Sequence, residues 1–197
     1  MPYVNVEQLK ALRRRTEVGV GQCREALEAA GGDIEQAVEY LRKQAIAQAG
    51  QRAAREVGEG VVGNYVHHTG KLAALLELNC ETDFVARTEL FQRLARQLAE
   101  HVAAAAPLYV DRAAVPAALV EEQRATFAAL GASKPAAIRA KIVAGKLEAY
   151  YRDVVLLEQP WVREAGKTIG ELINETAATL GERVRVRRFA RVRVGDV

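Results

Sequence analysis

Residues 78–87, Leu-Asn-Cys-Glu-Thr-Asp-Phe-Val-Ala-Arg, carry the side chains with the clearest chemical potential in the chain. They follow a run with strand character (71–79) and precede a run with helix character (88–106), so the sequence predicts a turn that regular structure holds at both ends. Asp83 and Phe84 lie at its tip. A carboxylate beside a large apolar ring on an exposed turn suits contact with another molecule.

Two interpretations of this turn stay open on residue types alone. In the first, Thr82 or Asp83 caps the following helix, and Phe84 folds into the core. In the second, Phe84 points outward as a wedge for a partner's pocket, where full burial of the ring contributes about 1.5–3 kcal/mol. The first interpretation predicts a purely structural turn, and the second predicts a recognition site.

Motifs for covalent chemistry are absent from the sequence. It contains no GxxxxGK[ST] phosphate loop, no dinucleotide fingerprint and no HExxH pair. Cys23 and Cys80 occur in separate segments without metal-ligand spacing, which favours buried thiols over a disulfide or a metal site. His67 and His68 are neighbours on a predicted strand, where side chains point to opposite faces. We therefore expect no enzyme activity, no metal and no cofactor.

The composition is that of an ordinary globular chain. Of 197 residues, 50% are hydrophobic and 27% are charged, and the formal net charge is +3. This mildly basic balance permits an acidic partner but does not by itself indicate nucleic acid. The sequence has no signal-type N-terminal segment and no run of about 18 apolar residues. We expect neither export nor a membrane span, and we expect a cytoplasmic protein.

Residues 5–44 have the periodicity of three short helices, similar to a ubiquitin-associated-type module. The turn formed by Val18, Gly19 and Val20 is a candidate docking contact, because apolar residues in a turn gain little from the fold. A polar stretch follows and predicts a helical linker over residues 45–59. The predicted domains are thus the module at 1–44, this linker, and a core at 60–197.

From residue 60 the pattern changes to a period of two. It predicts a hairpin with strands near 60–68 and 71–79, followed by several helices and a C-terminal strand. The predicted fold class is α+β, with the three-helix module followed by a small antiparallel sheet of about three strands packed with helices. Capping and glycine signals place one of these helices between Thr168 and Gly181.

The C-terminal residues 183–194 alternate apolar side chains with arginines. The pattern predicts a two-faced strand, with an apolar face formed by Val184, Val186, Val192 and Val194. The arginines either lie in water on the outer face or contact the phosphates of RNA. Phe189 is the one aromatic side chain among them, which favours the first reading. We expect no direct nucleic-acid contact and keep an RNA- or ribosome-binding protein as the alternative function.

Several segments resemble the elongation factor Ts family, the nucleotide-exchange factors of the GTPase elongation factor Tu. The most specific is Thr82-Asp83-Phe84-Val85. Further similar segments occur in the same order along nearly the whole chain: Leu12-Arg13, Thr16, Cys23, Ala26-Leu27, Gly32-Asp33, residues 37–42, the Leu-Leu-Glu-Gln-Pro-Trp run at 156–161, and Arg187-Arg188-Phe189. The chain departs from the family pattern at Glu17 and at Val20-Gly21-Gln22, which touch the docking loop.

The resemblance implies a translation factor that promotes release of GDP from elongation factor Tu. It implies that the N-terminal module docks on the nucleotide-binding domain of the GTPase, with Val18, Gly19 and Val20 as the candidate contact. It also implies that Thr82, Asp83, Phe84 and Val85 disturb Mg²⁺ coordination beside the nucleotide. The factor itself then binds neither the nucleotide nor the metal.

The number of cores predicts an assembly. In the longer size class of the family the sheet-bearing core occurs twice in one chain, whereas this sequence carries one core without an internal repeat. We therefore expect a homodimer that supplies the remaining surface from a second copy, joined at the C-terminal strand. A ubiquitin-type adaptor built on the N-terminal module is a further alternative.

Overall fold

A computed structural model describes residues 5–16, 18–52 and 55–196, with only the backbone described for residues 45–52. The helices of this part are α1 (Val6–Thr16), α2 (Val20–Ala29), α3 (Ile34–Arg52), α4 (Asp83–Ala86), α5 (Glu89–Ala105), α6 (Ala117–Leu130), α7 (Ala136–Val154) and α8 (Ile169–Leu180). The strands are β1 (Glu59–Val66), β2 (Leu72–Cys80), β3 (Pro160–Trp161), β4 (Glu164–Thr168) and β5 (Arg185–Arg193). Short 3-10 helices lie at Arg112–Ala114 and Leu156–Glu158.

Side chains of Asn5 and Asp33 cap the starts of α1 and α3. The Asn5 side chain accepts a hydrogen bond of 2.9 Å from the Glu7 backbone at the start of α1, and Asp33 caps α3 in the same way at 2.9 Å. Between α2 and α3, Gly31 and Gly32 have φ of 59° and 89°, a conformation that glycine adopts without a Cβ clash. The chain reverses at these residues and returns α3 onto the first two helices.

The three helices enclose a small core of their own. Its buried side chains are Leu12, Val18, Cys23, Ala26, Leu27 and Ala37. The predicted N-terminal three-helix module is confirmed. Because α3 continues to Arg52, much of the predicted linker is helical. The domain boundaries at residues 44 and 59 stay a prediction.

The chain forms two compact units, each assembled from separate stretches. The first contains the chain up to Val61 together with Asn79–Leu94 and Glu171–Arg185. The second contains Val62–Leu78, Ala95–Gly170 and the chain from Val186 onward. The turn at residues 82–85 belongs to the first unit, as do the N-terminal helices.

An antiparallel three-stranded sheet in the order β1-β2-β5 confirms the predicted α+β class. Along β2, Ala74, Leu76 and Leu78 are buried, as the alternation predicts. Gly63 on β1 lies so close to α5 that a Cβ there would be 2.3 Å from the Ala95 carbonyl oxygen. The contact explains a glycine in the middle of a strand, since no other residue fits beneath the helix.

The C-terminal strand departs from its predicted pattern. Val186 is buried, but Val192 and Val194 are 69% and 70% exposed. In their place Arg191 faces inward and donates its Nε–H to the Ala103 carbonyl at 3.1 Å. Val186 and Arg191 both face inward although they are five residues apart, which a regular alternation of faces does not allow. The alternation therefore shifts by one residue between them along β5. The prediction of one apolar face that includes Val192 and Val194 is wrong.

The two adjacent histidines also differ from expectation. They lie just beyond the end of β1, and their ring centroids are 4.2 Å apart, so the rings do not point to opposite faces. His67 Nδ1 is 2.9 Å from the Tyr65 hydroxyl, which uses one of its ring nitrogens. Among the described residues, no group of three or more His, Cys, Asp or Glu side chains is arranged to hold a metal ion.

In the described stretches, no helix combines the length and apolar character required to cross a membrane.

Candidate partner-binding site

The turn after β2 contains one short helix that Thr82 caps. Thr82 has an extended backbone, and its hydroxyl accepts a hydrogen bond of 3.4 Å from the Val85 N–H in α4. Thr88 follows α4 and accepts a bond of 3.3 Å from the Phe91 N–H at the start of α5. Two threonine caps in succession therefore hold residues 83–86 between a strand and a long helix. Thr82 is the cap, as one of the two interpretations expects.

Phe84 projects from this short helix into solvent. Its side chain is 78% exposed, whereas Ala86 at 6% and Phe91 at 0% exposure anchor the same segment. The interpretation in which Phe84 joins the core is therefore wrong. A large ring held outward on anchored backbone is a feature of recognition sites, because its burial by a partner is favourable and its position costs no reordering.

Asp83 lies next to the ring and pairs with a cation of the same turn. The Arg87 guanidinium is 2.8 Å from the Asp83 carboxylate, and both side chains are substantially exposed. An exposed pair of this kind contributes about 0.2–1 kcal/mol, so a partner can replace it at little cost. Asp83 therefore keeps a carboxylate at the tip that can interact with groups of another protein. Val85 in the same turn is half-buried.

Cys80, the last residue of β2, contacts the backbone of the turn. The Cys80 thiol is buried and donates to the Thr82 carbonyl, with Sγ 3.2 Å from the oxygen. Burial, with a further contribution from the nearby Glu182 carboxylate, raises the pKa of Cys80 to about 11. The thiol is neutral at physiological pH and acts as a hydrogen-bond donor, in agreement with the expected buried thiol.

Two glutamates that sequence reasoning missed also contact the turn. Glu182 accepts hydrogen bonds from the backbone N–H groups of Glu81 and Thr82, each at 3.0 Å. Its other oxygen accepts from the Thr82 hydroxyl at 2.6 Å. The Glu81 carboxylate in turn accepts from the Arg183 N–H at 2.6 Å. Thr82 and Glu182 are 100 residues apart in sequence, so no local pattern of residue types connects them.

The predicted N-terminal docking turn divides into an inner and an outer part. Val18 is only 9% exposed and packs into the core of the three helices, and its carbonyl accepts from the Cys23 thiol at 3.4 Å. Gly19 is the residue that precedes α2. Val20 is 42% exposed and is the apolar side chain of this turn that a partner can reach. Glu17, the departure from the family pattern, lies outside the described residues.

Helix α1 presents basic side chains to solvent in the same unit. Lys10, Arg13 and Arg14 are exposed and, with Glu7, line a shallow concavity of the surface. Lys10 pairs with Glu7 at 3.1 Å. A cationic surface on this small module suits an acidic partner surface.

The arginines of β5 are partly engaged within the second unit. Arg187 and Arg188 lie 3.4 Å and 2.8 Å from the carboxylate of Glu77. Arg191 bonds a backbone carbonyl and pairs with Asp196 at 2.8 Å. Cations that share an acidic neighbour or face inward are poorly placed to form a row of phosphate contacts. These contacts favour arginines that pair within the fold over the RNA-binding alternative.

Comparison with known proteins identifies the family of the chain. The family model described as elongation factor TS matches residues 15–196. The elongation factor Ts of Thermotoga petrophila is 47% identical over 193 residues, which cover 98% of this chain and 97% of that protein. The chain belongs to the elongation factor Ts family. Further elongation factor Ts proteins include those of Citrifermentans bemidjiense, 44% identical over 98% of this chain and 90% of theirs, and of Nitratidesulfovibrio vulgaris, 43% identical over 98% and 97%.

Membership in the elongation factor Ts family makes the chain a translation elongation factor. The match includes β2, the Thr82-capped turn, α5 and the C-terminal strand, since all lie within residues 15–196. Because most of each relative is covered, elongation factor Ts similarity extends to the whole arrangement of helices and strands rather than to one motif.

Proposed function

We propose that the protein is a guanine-nucleotide exchange factor that promotes GDP release from elongation factor Tu, and that it does so in the cytoplasm. The observation that carries this proposal is Phe84, a ring that is 78% exposed on a short helix anchored at both ends. The relatives are elongation factor Ts proteins, and the exposed ring would give this chain a physical means of exchange.

In the proposed mechanism, Phe84 enters beside the nucleotide site of the GTPase and displaces packing there. Asp83 brings a carboxylate close to groups arranged around phosphate and Mg²⁺, where it competes for or repels them. The turn thereby weakens metal coordination and the hold on GDP. Thr82 and Val85 keep the ring and the carboxylate at a fixed spacing, and the factor carries out no covalent step.

The energetics of this mechanism follow from thermodynamic linkage. If the factor weakens GDP binding by a given ratio, GDP weakens binding of the factor by the same ratio. The factor therefore binds the empty GTPase most tightly, and an incoming nucleotide helps to release it. Exchange is then catalytic in the factor, because each cycle returns it unchanged.

The N-terminal module is the proposed docking element. Val20 supplies an exposed apolar contact, with Gly19 beside it and Val18 fixing the turn from the core. The cations of α1 supply the electrostatic attraction to an acidic surface. In this proposal residues 1–44 form the docking module and residues 45–59 connect it to the rest of the chain. Residues 60–197 form the domain that binds the GTPase and a second copy of the chain.

A homodimer is part of the proposal, with a seam that differs from the sequence-based one. Val184 and Val186 are already buried within the chain. Four other apolar side chains on β1, β2 and β5, and Val194 directly after β5, are exposed in the second unit: Val62 at 63%, Val66 at 65%, Leu75 at 53%, Val192 at 69% and Val194 at 70%. They occupy the solvent side of the sheet, and a second copy that covers them would bury a sizeable apolar surface.

Sedimentation across a dilution series tests the dimer. Val192→Lys should shift the population toward a 21.5 kDa monomer, because a charge enters the apolar seam. The matched control is Leu130→Lys, at a side chain that is 67% exposed on α6 and not on the sheet. A wild-type protein that is monomeric at every concentration, yet fully active in exchange, contradicts the dimer.

The exchange proposal is tested by release of labelled GDP from elongation factor Tu with and without the protein. A rate that rises with the concentration of the factor supports exchange. In a parallel arm, retention on RNA that falls steeply with salt, without any effect on GDP release, would support the RNA-binding alternative instead.

A further inference from the structure

The exposed tip is fixed by a residue that lies far from it in sequence. The Glu182 carboxylate accepts three hydrogen bonds from the turn: the Glu81 and Thr82 N–H groups at 3.0 Å each, and the Thr82 hydroxyl at 2.6 Å. Bonds to an ionised acceptor are about twice as strong as those between neutral groups. One side chain thus satisfies both backbone donors between the end of β2 and the start of α4.

The bond to the Thr82 hydroxyl also sets the direction of the helix cap. Because this hydroxyl donates its proton to Glu182, its lone pairs remain for the Val85 N–H, which lies 3.4 Å away. The carboxylate therefore reaches the first turn of α4 through Thr82. Phe84 is on that turn, so its direction depends on a cap that Glu182 orients.

Glu182 is itself held by the backbone around it. Helix α8 ends at Leu180, and Gly181 has φ of 76°, a left-handed conformation that turns the chain sharply. The Arg183 N–H on the other side donates to Glu81 at 2.6 Å. The Glu81 side chain holds the backbone next to Glu182, and the Glu182 side chain holds the backbone of Glu81. This reciprocal brace joins the turn to the end of α8.

We propose that Glu182 is a positioning residue that holds Phe84 ready for insertion into the GTPase. The inference rests on the proposed exchange function. Glu182 does not touch the partner in this view. Glu182 orders the turn before the partner binds. The turn then loses little conformational entropy on insertion, and the free energy of insertion stays more favourable.

The test is GDP release from elongation factor Tu, measured over a range of factor concentrations for four proteins: wild type, Glu182→Ala, Phe84→Ala and the double variant. Glu182→Ala removes all three bonds and should lower the maximal release rate by roughly tenfold or more, since one charge-assisted hydrogen bond alone corresponds to about tenfold. The half-saturating concentration should change little, because the N-terminal docking module is intact. Glu100→Ala is the matched control, because it removes a glutamate whose ion-pair partner, Arg163, is not part of the turn.

The double variant separates positioning from a general loss of stability. If Glu182 acts through Phe84, its removal has little further effect once the ring is gone. A purely structural role predicts the same relative loss in both backgrounds. Glu182→Gln should recover part of the activity, because its amide oxygen can still accept from the two N–H groups while the charge is lost.

Hydrogen exchange of the folded proteins gives a readout that does not depend on activity. The Glu81 and Thr82 amides should exchange roughly tenfold faster or more in Glu182→Ala, because their acceptor is gone. If wild type accelerates GDP release and Glu182→Ala does so equally, or if these amides exchange at the wild-type rate, the positioning role is overturned. If wild type itself has no effect on GDP release, the exchange function is overturned, and the positioning role falls with it.

Discussion

Replacing Phe84 by alanine removes a ring that the folded chain barely uses. The side chain is 78% exposed, so the buried fifth of it contributes about 0.3–0.7 kcal/mol of stability, taking about 1.5–3 kcal/mol for full burial. In the complex with elongation factor Tu the ring would be covered. Losing the burial of the exposed four fifths, about 1.2–2.3 kcal/mol, corresponds to a fall of roughly seven- to 50-fold in the exchange rate.

The assay combines release of labelled GDP with thermal unfolding of the same variant. Phe91→Ala is the matched control, because Phe91 is the same residue type seven positions later but is fully buried. Removing a buried phenyl ring costs about 3–5 kcal/mol of stability. We expect the two variants to separate cleanly, with Phe84→Ala losing exchange at a nearly unchanged melting temperature and Phe91→Ala losing stability.

Either half of this expectation can be refuted. Full acceleration of GDP release by Phe84→Ala would show that the ring is not the wedge. A large fall in the melting temperature of Phe84→Ala would show that the ring stabilises the fold, which contradicts its exposed position.

Three further predictions concern buried groups. Gly63→Ala should lower the free energy of unfolding, measured by urea titration, by at least about 1–3 kcal/mol, since its Cβ would lie 2.3 Å from the Ala95 carbonyl oxygen. Gly145→Ala is the control and should not destabilise, because its Cβ would meet no atom of another segment within 4 Å. Burial lowers the pKa of His101 below 6.5, so the unfolded chain binds a proton that the folded chain excludes. The free energy of unfolding should therefore fall as the pH drops below 6.5. In His101→Gln this fall should be smaller. The Cys80 thiol, with a pKa of about 11, should not react with a thiol reagent near neutral pH until the protein unfolds, and reaction in the native state would contradict its burial.

Local patterns predicted the elements around the site well. The change of period at residue 60, the helix character of residues 88–106 and the glycine that ends α8 each act within one turn or one strand, so the sequence displays them directly. The strand-to-helix turn at Thr82 and its capping chemistry belong to the same class of signal. The α4 turn inserted between β2 and α5 was not foreseen, because four residues are too few to show a helical period.

Long-range contacts account for what the sequence did not reveal. Whether Phe84 faced in or out depended on how the ends of β2 and α5 are packed, and residue types alone left both options open. Glu182 is an acidic residue after a helix-ending glycine, and nothing near it indicates that it binds the turn about 100 residues earlier. The slip of β5 that turns Arg191 inward and exposes Val192 likewise involves a distant contact, the hydrogen bond from Arg191 to the Ala103 carbonyl on α5.

The most direct test of the exchange function is stopped-flow release of fluorescent GDP from elongation factor Tu in the presence of excess unlabelled nucleotide. We predict that the wild-type protein, at substoichiometric concentration, accelerates release in every cycle, and that Phe84→Ala removes most of this effect while the melting temperature is retained. Release at the spontaneous rate at every concentration of folded wild-type protein would contradict the proposed function.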